Sequence, residues 1–383
     1  MEGGEAAAAI FGERAQALEP RALLAGRSPR AVDPAAVDLV FRPGALAAAE
    51  RELLAGRSGL SLGIPPPADG GGGWQRLRGA REALASAAPR SLAARLLLAT
   101  HDQATARPGP PRIMGVINAT PDSFSDGGLA LDPARAVARG LSLVAEGAEL
   151  LDVGGESTRP GAEGVAADEE RRRVLPVIEG LRARTAVPIS IDTTKAAVAR
   201  AALEAGADLV NDVSAGRFDP GILALVAERG CGIVLMHMQG RPRDMQRAPR
   251  YVHVVAEVLA HLRERVAACL QCGIALSKIV LDPGIGFGKR LEDNLALLRG
   301  IPELRSLGRP ILLGVSRKSF LGRLSGEEKP AERLGDTAAA VAAGVLYGAE
   351  ILRVHDARTM SRAVRVAAAI ADEKEPPLPS PRN

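Results

Sequence analysis

Aromatic residues are almost missing from this 383-residue chain: Phe, Trp and Tyr together make 2% of it. A core without rings must be packed from aliphatic side chains, and a surface without rings offers no platform for stacking successive bases. Cysteine is as scarce, with Cys231, Cys269 and Cys272 the only three, too few for a disulfide framework. A reducing, cytoplasmic compartment is therefore the expectation. No segment reaches the roughly 20 consecutive apolar residues of a membrane helix, and the N-terminus MEGGEAAAAIF lacks the basic lead of a secretory signal. A strong excess of either charge sign is missing too: 49 bases against 45 acids leave a formal +4, with no basic cluster interleaved with aromatics. Neither nucleic acid nor a membrane is an expected partner.

What the chain has is aliphatic bulk, 46% hydrophobic residues, enough for one large domain with an appendage or for two domains. Residues 1–111 stand apart. They contain Arg but no Lys, and two stretches, Pro65–Gly73 (PPPADGGGG) and Arg107–Pro111 (RPGPP), have linker composition. Between them the pattern predicts a strand near Val37–Phe41, a helix over Gly44–Leu54, and helices around Gln75–Ser86 and Ser91–Thr100. This reads as a small accessory N-terminal domain without chemistry-bearing motifs. Residues 374–383 read as a disordered tail.

From Arg112 the pattern changes to strand, loop, helix, repeated. Apolar runs recur at Ile113–Ile117, Leu150–Val153, Val187–Ile191, Leu209–Val213, Gly232–Met236, Ile279–Leu281, Ile311–Val315 and Ile351–Val354. Helical periodicity fills the gaps, as in Val255, Val258, Leu259, Leu262, Val266 and Cys269. That series assigns Cys269 to a helix core, and the CxxC spacing to Cys272 has no second ligand pair to make a zinc site. Eight such units over about 260 residues match a (β/α)8 TIM barrel at 112–373, with an open doubly wound sheet as the alternative.

Polar residues end these strands: Asn118, Asp152, Asp192, Asn211 and Asp212, His237, Asp282, Ser316 to Lys318, and Arg353 with His355. Some polar strand ends only cap the next helix. Barrel active sites, however, are built where the strands end. Asp192, Asn211, Asp282 and Lys318 together suit a flat heterocycle carrying both donors and acceptors, since a carboxylate accepts two parallel N–H bonds and an ammonium meets a carbonyl or ring nitrogen. A carboxylate metal site is the alternative, opposed by the competing lysine.

Arg353 and His355, two apart on one strand, share a face. Beside Ser316–Gly322 (SRKSFLG) they form a candidate anion site, where barrels often bind phosphate; pairing of Arg353 with an acid such as Asp356 is the structural alternative. Gly284–Lys289 (GIGFGK) lacks phosphate-loop spacing, and its glycines instead let backbone pass close to a ligand that Phe287 can stack on or merely pack near. Two Gly-containing loops, Thr120–Gly128 and Gly154–Ala162, have the character of lids over one mouth. The methionines of LMHMQGRPRDM read as packing.

In order along the chain, INATPDSFSDGG, LDVGGESTRPGA, SIDTTK, NDVSA, LMHMQGRP, LDPGIGFGK, GVSRKSFLG and RVHD resemble the dihydropteroate synthases of folate biosynthesis, from about Ile113 to Ala371. The resemblance implies a transferase, a sulfonamide target, that condenses 6-hydroxymethyl-7,8-dihydropterin pyrophosphate with 4-aminobenzoate to give 7,8-dihydropteroate and pyrophosphate. It implies that Thr158, Asp192, Asn211, Asp282, Phe287 and Lys318 bind the pterin, and that Asn118, Arg353 and His355 bind pyrophosphate, with Asn118 also on Mg2+. It implies an aminobenzoate pocket of Phe124, Arg159, Pro160 and Ser319, and catalytic roles for Asp126, Lys318 and Arg159 around a cationic pterin methylene formed as pyrophosphate departs. A homodimer through the last barrel helices belongs to the same expectation, which the N-terminal extension puts under question. The rivals are a pterin-binding methyltransferase, which has no use for the SRKSF and RVH anion site, and a non-catalytic pterin-binding paralogue, against which the full set of site residues argues.

Overall fold

The computed structural model describes residues 108–120 and 132–371 continuously; before residue 108 it describes 21–22, 36–41, 60–63, 75–88 and a few single positions up to 106. The described N-terminal strands form an antiparallel sheet in the order β1 (Arg21–Ala22), β2 (Ala36–Phe41), β4 (Gln75–Ala80), β3 (Leu60–Gly63). The expected strand at Val37–Phe41 is therefore present. The expected helix over Gln75–Ser86 is not: its first half is β4, flanked on both sides by β2 and β3, and a helix follows only at Arg81–Ala87. Two strand partners override a local helical pattern, and Leu77 buried beside exposed Arg78 shows the period of two. Gly44–Leu54 and 372–383 lie outside the described residues.

The main body is a (β/α)8 barrel. Its strands are β5 (Arg112–Asn118), β6 (Leu150–Gly154), β7 (Ile189–Asp192), β8 (Leu209–Asp212), β9 (Gly232–Met236), β10 (Ile279–Asp282), β11 (Leu312–Leu313) and β12 (Ile351–Val354). Every neighbouring pair is parallel, β12 lies beside β5, and a Leu281–Ile311 bridge brings β10 to β11 and closes the ring. An open doubly wound sheet has no such closure. All eight predicted runs became strands: β5, β6 and β10 are longer than their runs, β9 and β12 match them, β8 and β11 are shorter, and β7 starts after Pro188 and runs on to Asp192.

Alternation along each strand sorts the side chains. Ile113, Ile117, Leu151, Val153, Ile189, Ile191, Val210, Ile233, Leu235, Leu313 and Leu352 point outward into one core shared with the helices. The helix Val254–Gln271 meets it with Val255, Val258, Leu259, Leu262, Val266 and Cys269, all buried, as its periodicity predicts. Inward, Met114, Leu150, Val234, Leu312 and Ile351 pack a separate apolar floor, with Leu209 and Val280 against it. Aliphatic side chains fill this narrow space without rings. Two residues further along four of these strands, on the same inward face, Leu150 gives way to Asp152, Leu209 to Asn211, Val280 to Asp282 and Ile351 to Arg353. The barrel is thus dry below and polar at the strands' C-terminal ends.

The chain enters the barrel at the opposite end. Gly109 N donates to Glu350 Oε1 at 2.7 Å and Arg305 Nη2 to the Ala106 carbonyl at 2.7 Å, both beside the starts of strands. Among the described residues, no helix is long and apolar enough to cross a membrane.

Glycine matters most where the loop after β10 passes over that after β9. Gly284 has φ +69°, and a Cβ there would lie 1.9 Å from the His237 carbonyl oxygen, whereas at Gly230, with φ +60°, a Cβ would meet nothing within 4 Å. Gly230→Ala should cost roughly 1 kcal/mol, the conformational penalty alone. Gly284→Ala should cost roughly 2–4 kcal/mol more, because backbone must shift. Urea unfolding of the two variants checks this; equal losses would contradict it.

Candidate active site

The polar layer at the barrel mouth is held by one guanidinium. Arg353 on β12 donates from Nε to Asp152 Oδ2 at 2.6 Å and from Nη2 to Asp192 Oδ2 at 2.8 Å, tying β12 to β6 and β7. Asn211 on β8 donates from Nδ2 to the same Asp152 oxygen at 3.1 Å. All four groups are inward positions of their strands. The alternative that Arg353 pairs with an acid therefore holds for Asp152 and Asp192 but not for Asp356, which receives Arg317 instead, through Nε at 3.1 Å and Nη2 at 2.9 Å. Arg353 is an inward residue, and Asp356 lies past the strand end at the foot of the next helix, where the guanidinium of Arg317 reaches it.

Burial sets the charge states. Burial raises the pKa of Asp192; Arg353 opposes the rise, and Asp152, Glu170 and Asp212 add to it. Burial likewise raises Asp282 against the pull of Lys318, while Asp282 Oδ1 accepts from Gly284 N at 2.7 Å. For Arg353, burial lowers the pKa but Asp152 and Asp192 more than offset it, so the guanidinium stays charged. Burial brings Lys318 down to about 8, with Asp282 opposing and Arg353 reinforcing the shift. Its Nζ donates to the Ile285 carbonyl and stands 4.7 Å from the Phe287 ring centroid. Asp282, Phe287 and Lys318 therefore form one neighbourhood across β10 and the loop after β11.

The anion-facing side is built differently. His355 accepts or donates through Nδ1 to Ser316 Oγ at 2.9 Å, and its backbone N donates to the same hydroxyl oxygen at 3.2 Å. Burial, then Arg353, Arg317, Arg159 and Lys318, bring its pKa to about 3, so the imidazole is neutral at physiological pH. With the serine oxygen already accepting from the backbone, its proton suits Nδ1, which assigns the N–H to Nε2. The same four cations that discharge the histidine make a field suited to an anion. Arg317 adopts φ +60°, held by the Asp356 ion pair, by its N donating to Thr337 Oγ1 at 3.1 Å and by its carbonyl accepting from Arg333 Nη1 at 2.9 Å. That constraint aims the next two residues, Lys318 and the exposed Ser319.

Other predicted residues sit on loops. Asn118 ends β5, half-buried, in register with Gly154. Thr158 lines a mouth cavity of about 1020 Å³ together with Asp192, Thr193, Lys195, Phe218 and Arg241. Arg159 and Pro160 are exposed beside it. Phe124 and Asp126 lie outside the described residues. Among the described residues no cluster of three or more His, Cys, Asp or Glu could hold a metal ion.

Several contributors escaped sequence reasoning. Lys289, 3% exposed, donates to the His237 and Phe287 carbonyls at 3.2 and 3.1 Å and meets His237 Nδ1 at 3.0 Å, so it clamps the loops after β9 and β10. Burial lowers its pKa to about 7. Lys195 bridges Glu156 and the fully buried Glu170. Asp212, by contrast, only caps a turn, accepting from Ser214 N and Gly216 N at 2.8 and 2.5 Å. The repeated GIGFGK and SIDTTK lysines were visible, but their partners are set by loop paths and not by spacing.

Comparison with known proteins agrees with this architecture. The model of a family described as pterin binding enzyme matches residues 114–355, from the first barrel strand to His355. The dihydropteroate synthase of Synechocystis sp. is 45% identical over 258 residues, 67% of this chain and 89% of the relative. The structure of Xanthomonas albilineans dihydropteroate synthase with 4-aminobenzoic acid superposes with a TM-score of 0.65 at 50% identity, covering 69% of this chain and 93% of that one. The Yersinia pestis dihydropteroate synthase in a sulfonamide drug complex does so with a TM-score of 0.65 at 41% identity, covering 68% and 94%. Within the pterin-binding enzymes, this chain belongs to the dihydropteroate synthase family.

The Lys318 shift makes a measurable prediction. Between its native value of about 8 and the ordinary 10.5, the unfolded chain binds more protons than the native one, so stability rises with pH across that window. Relative to Lys318→Met, the wild type should gain roughly 1–3 kcal/mol between pH 8 and 10.5 in urea unfolding. Parallel pH profiles would contradict the assigned environment.

Proposed function

We propose that this chain condenses 6-hydroxymethyl-7,8-dihydropterin pyrophosphate with 4-aminobenzoate, releasing 7,8-dihydropteroate and pyrophosphate in folate biosynthesis. The observation that carries the reading is the meeting, at one end of the barrel, of Asp192, Asn211, Asp282 and Lys318 with the cation-surrounded His355. The two carboxylates accept the pterin's N–H groups, the Asn211 amide supplies a donor and an acceptor, and Lys318 meets a carbonyl or ring nitrogen. Phe287, already against Lys318, covers a ring face, and Thr158 lies at the edge. Arg353 and the Nε2–H of His355 face the diphosphate.

In the reaction the methylene C–O bond breaks with its electron pair leaving on the diphosphate, and the arylamine nitrogen forms the new C–N bond, losing a proton. Charge therefore leaves the methylene and accumulates on the departing oxygen, where fixed donors stabilise it without reorganising. Arg353 and His355 are the cationic and N–H groups on that side. Phe124, Asp126, Arg159, Pro160 and Ser319 are the proposed aminobenzoate pocket, with Asp126 stabilising the cationic methylene. No side chain of this set acts as a nucleophile.

Mg2+ fits this donor set only as an ion that arrives with substrate. The Asn118 amide oxygen is the ligand this chain would offer, since Asp152 and Asp192 are engaged by Arg353. Mg2+ keeps several waters and takes its remaining ligands from substrate phosphates, so one protein oxygen suffices. When bound it would neutralise charge on the leaving diphosphate.

A homodimer through the last barrel helices belongs to this proposal. Helix Ala357–Ala371 packs on Leu334–Leu346 and leaves Val366 and Ile370 exposed at 61% and 71%. Residues 1–111 are proposed as an accessory region outside catalysis, since their described contacts lie at the barrel end opposite the mouth.

Full-length protein given the pterin pyrophosphate, Mg2+ and 4-aminobenzoate should release pyrophosphate, and a sulfonamide should suppress that release by competing for the aminobenzoate pocket. No release, or release indifferent to the sulfonamide, would refute the proposal. Asn118→Ala should weaken pyrophosphate binding in the presence of Mg2+ about tenfold or more while leaving affinity for the free pterin within about twofold, by calorimetry. Equal loss of both would remove Asn118 from the diphosphate side. Light scattering at micromolar concentration should return twice the chain mass; a monomeric mass would refute the dimer.

A further inference from the structure

Arg353 contacts two carboxylates whose surroundings differ. Asp152 is fully buried, its Oδ1 has no protein donor, and its Oδ2 accepts from both Arg353 Nε and Asn211 Nδ2. No ligand in the mouth can reach a group with no exposed surface. Asp192, 8% exposed, faces the mouth cavity, and its Oδ2 accepts from Arg353 Nη2. That bond can be exchanged for N–H donors of a bound ligand, whereas the bond to Asp152 cannot. A guanidinium also carries five donors in a rigid fork, so it can keep Nε fixed and redirect its terminal nitrogens.

From this asymmetry we infer that Asp152 is a positioning residue, the pivot on which Arg353 turns its terminal nitrogens from Asp192 to the diphosphate, freeing Asp192 to receive the pterin edge. The inference rests on the proposed function, which puts the pterin at Asp192 and the diphosphate by Arg353. A destination for the moving nitrogens exists, since His355, held to Ser316 Oγ at 2.9 Å, stands just past the end of β12, two residues after Arg353. The two halves of one substrate are then energetically coupled, and coupling between two ligands is reciprocal. Asn211 is held by the same Asp152 oxygen, so the amide that reads the pterin keeps its orientation while the guanidinium moves.

Calorimetry on the full-length protein separates the halves, with 6-hydroxymethylpterin as the uncharged half and inorganic pyrophosphate with Mg2+ as the other. Pyrophosphate should tighten the pterin about tenfold over Mg2+ alone, within the range of ordinary two-site coupling, and the pterin should tighten pyrophosphate by the same factor. In Asp152→Asn that factor should fall below about twofold. Arg353→Lys, whose ammonium lacks the fork, should lose it as well, and keeps the test open if the first variant does not fold. A merely structural Asp152 would weaken both ligands together and leave the factor intact. Pterin binding without coupling in the wild type, or coupling preserved in the variants, overturns the pivot and leaves the proposed function standing. Absence of pterin binding with or without pyrophosphate overturns the function, and the pivot with it.

Discussion

A charged guanidinium between two buried carboxylates is the interaction around which this mouth is organised. Asp192 and Asp282 both end strands at this mouth, and burial alone would drive the two toward neutrality. Arg353 and Lys318 compensate them from the other side of the ring. Because the desolvation penalty of a buried ion pair rivals its Coulombic gain, the arrangement is poor evidence for added stability. It is better evidence for function: charges kept where nothing structural demands them, next to a cavity, with donors and acceptors in excess of their internal needs.

The arrangement depends on a support that carries no chemistry. An apolar floor of Met114, Leu150, Val234, Leu312 and Ile351 fills the barrel beneath the polar residues. Around the rim, Lys289 binds the loops after β9 and β10 together, and the strained Arg317 aims Lys318 and Ser319. The strand-borne residues are thus pre-positioned. Arg159 and Pro160 are carried on a loop instead, and the proposed function makes the two parts a rigid pterin pocket and a second pocket completed around it.

Much of this was legible in the sequence because a parallel barrel imposes two simple periods. Eight aliphatic runs separated by helical patterns announced the strands, and a polar residue replacing an aliphatic one at each strand end announced the mouth. Cross-barrel partners were not legible. Whether Arg353 meets Asp152 or Asp356 depends on the stagger between strands that are not neighbours, which hydrophobic pattern does not encode. Local pattern also misled at Gln75–Ala80, where the pairing of β4 with two strands overrode helical propensity. Lys289 was hidden for a third reason: a lysine after glycines reads as solvent-facing unless the loop's path over His237 is known. In each case the missing information was non-local.

In the proposed function the strand-end residues organised by Arg353 read the pterin and hand its diphosphate to the arginine. A crystal structure of the protein with 6-hydroxymethylpterin and pyrophosphate bound tests it most directly. The pterin's amino-pyrimidinone edge should lie within hydrogen-bond distance of Asp192, Asn211 and Asp282, with Arg353 Nε still on Asp152 and its terminal nitrogens on the pyrophosphate. A pterin bound away from those three residues, or an Arg353 that has left Asp152, would contradict it.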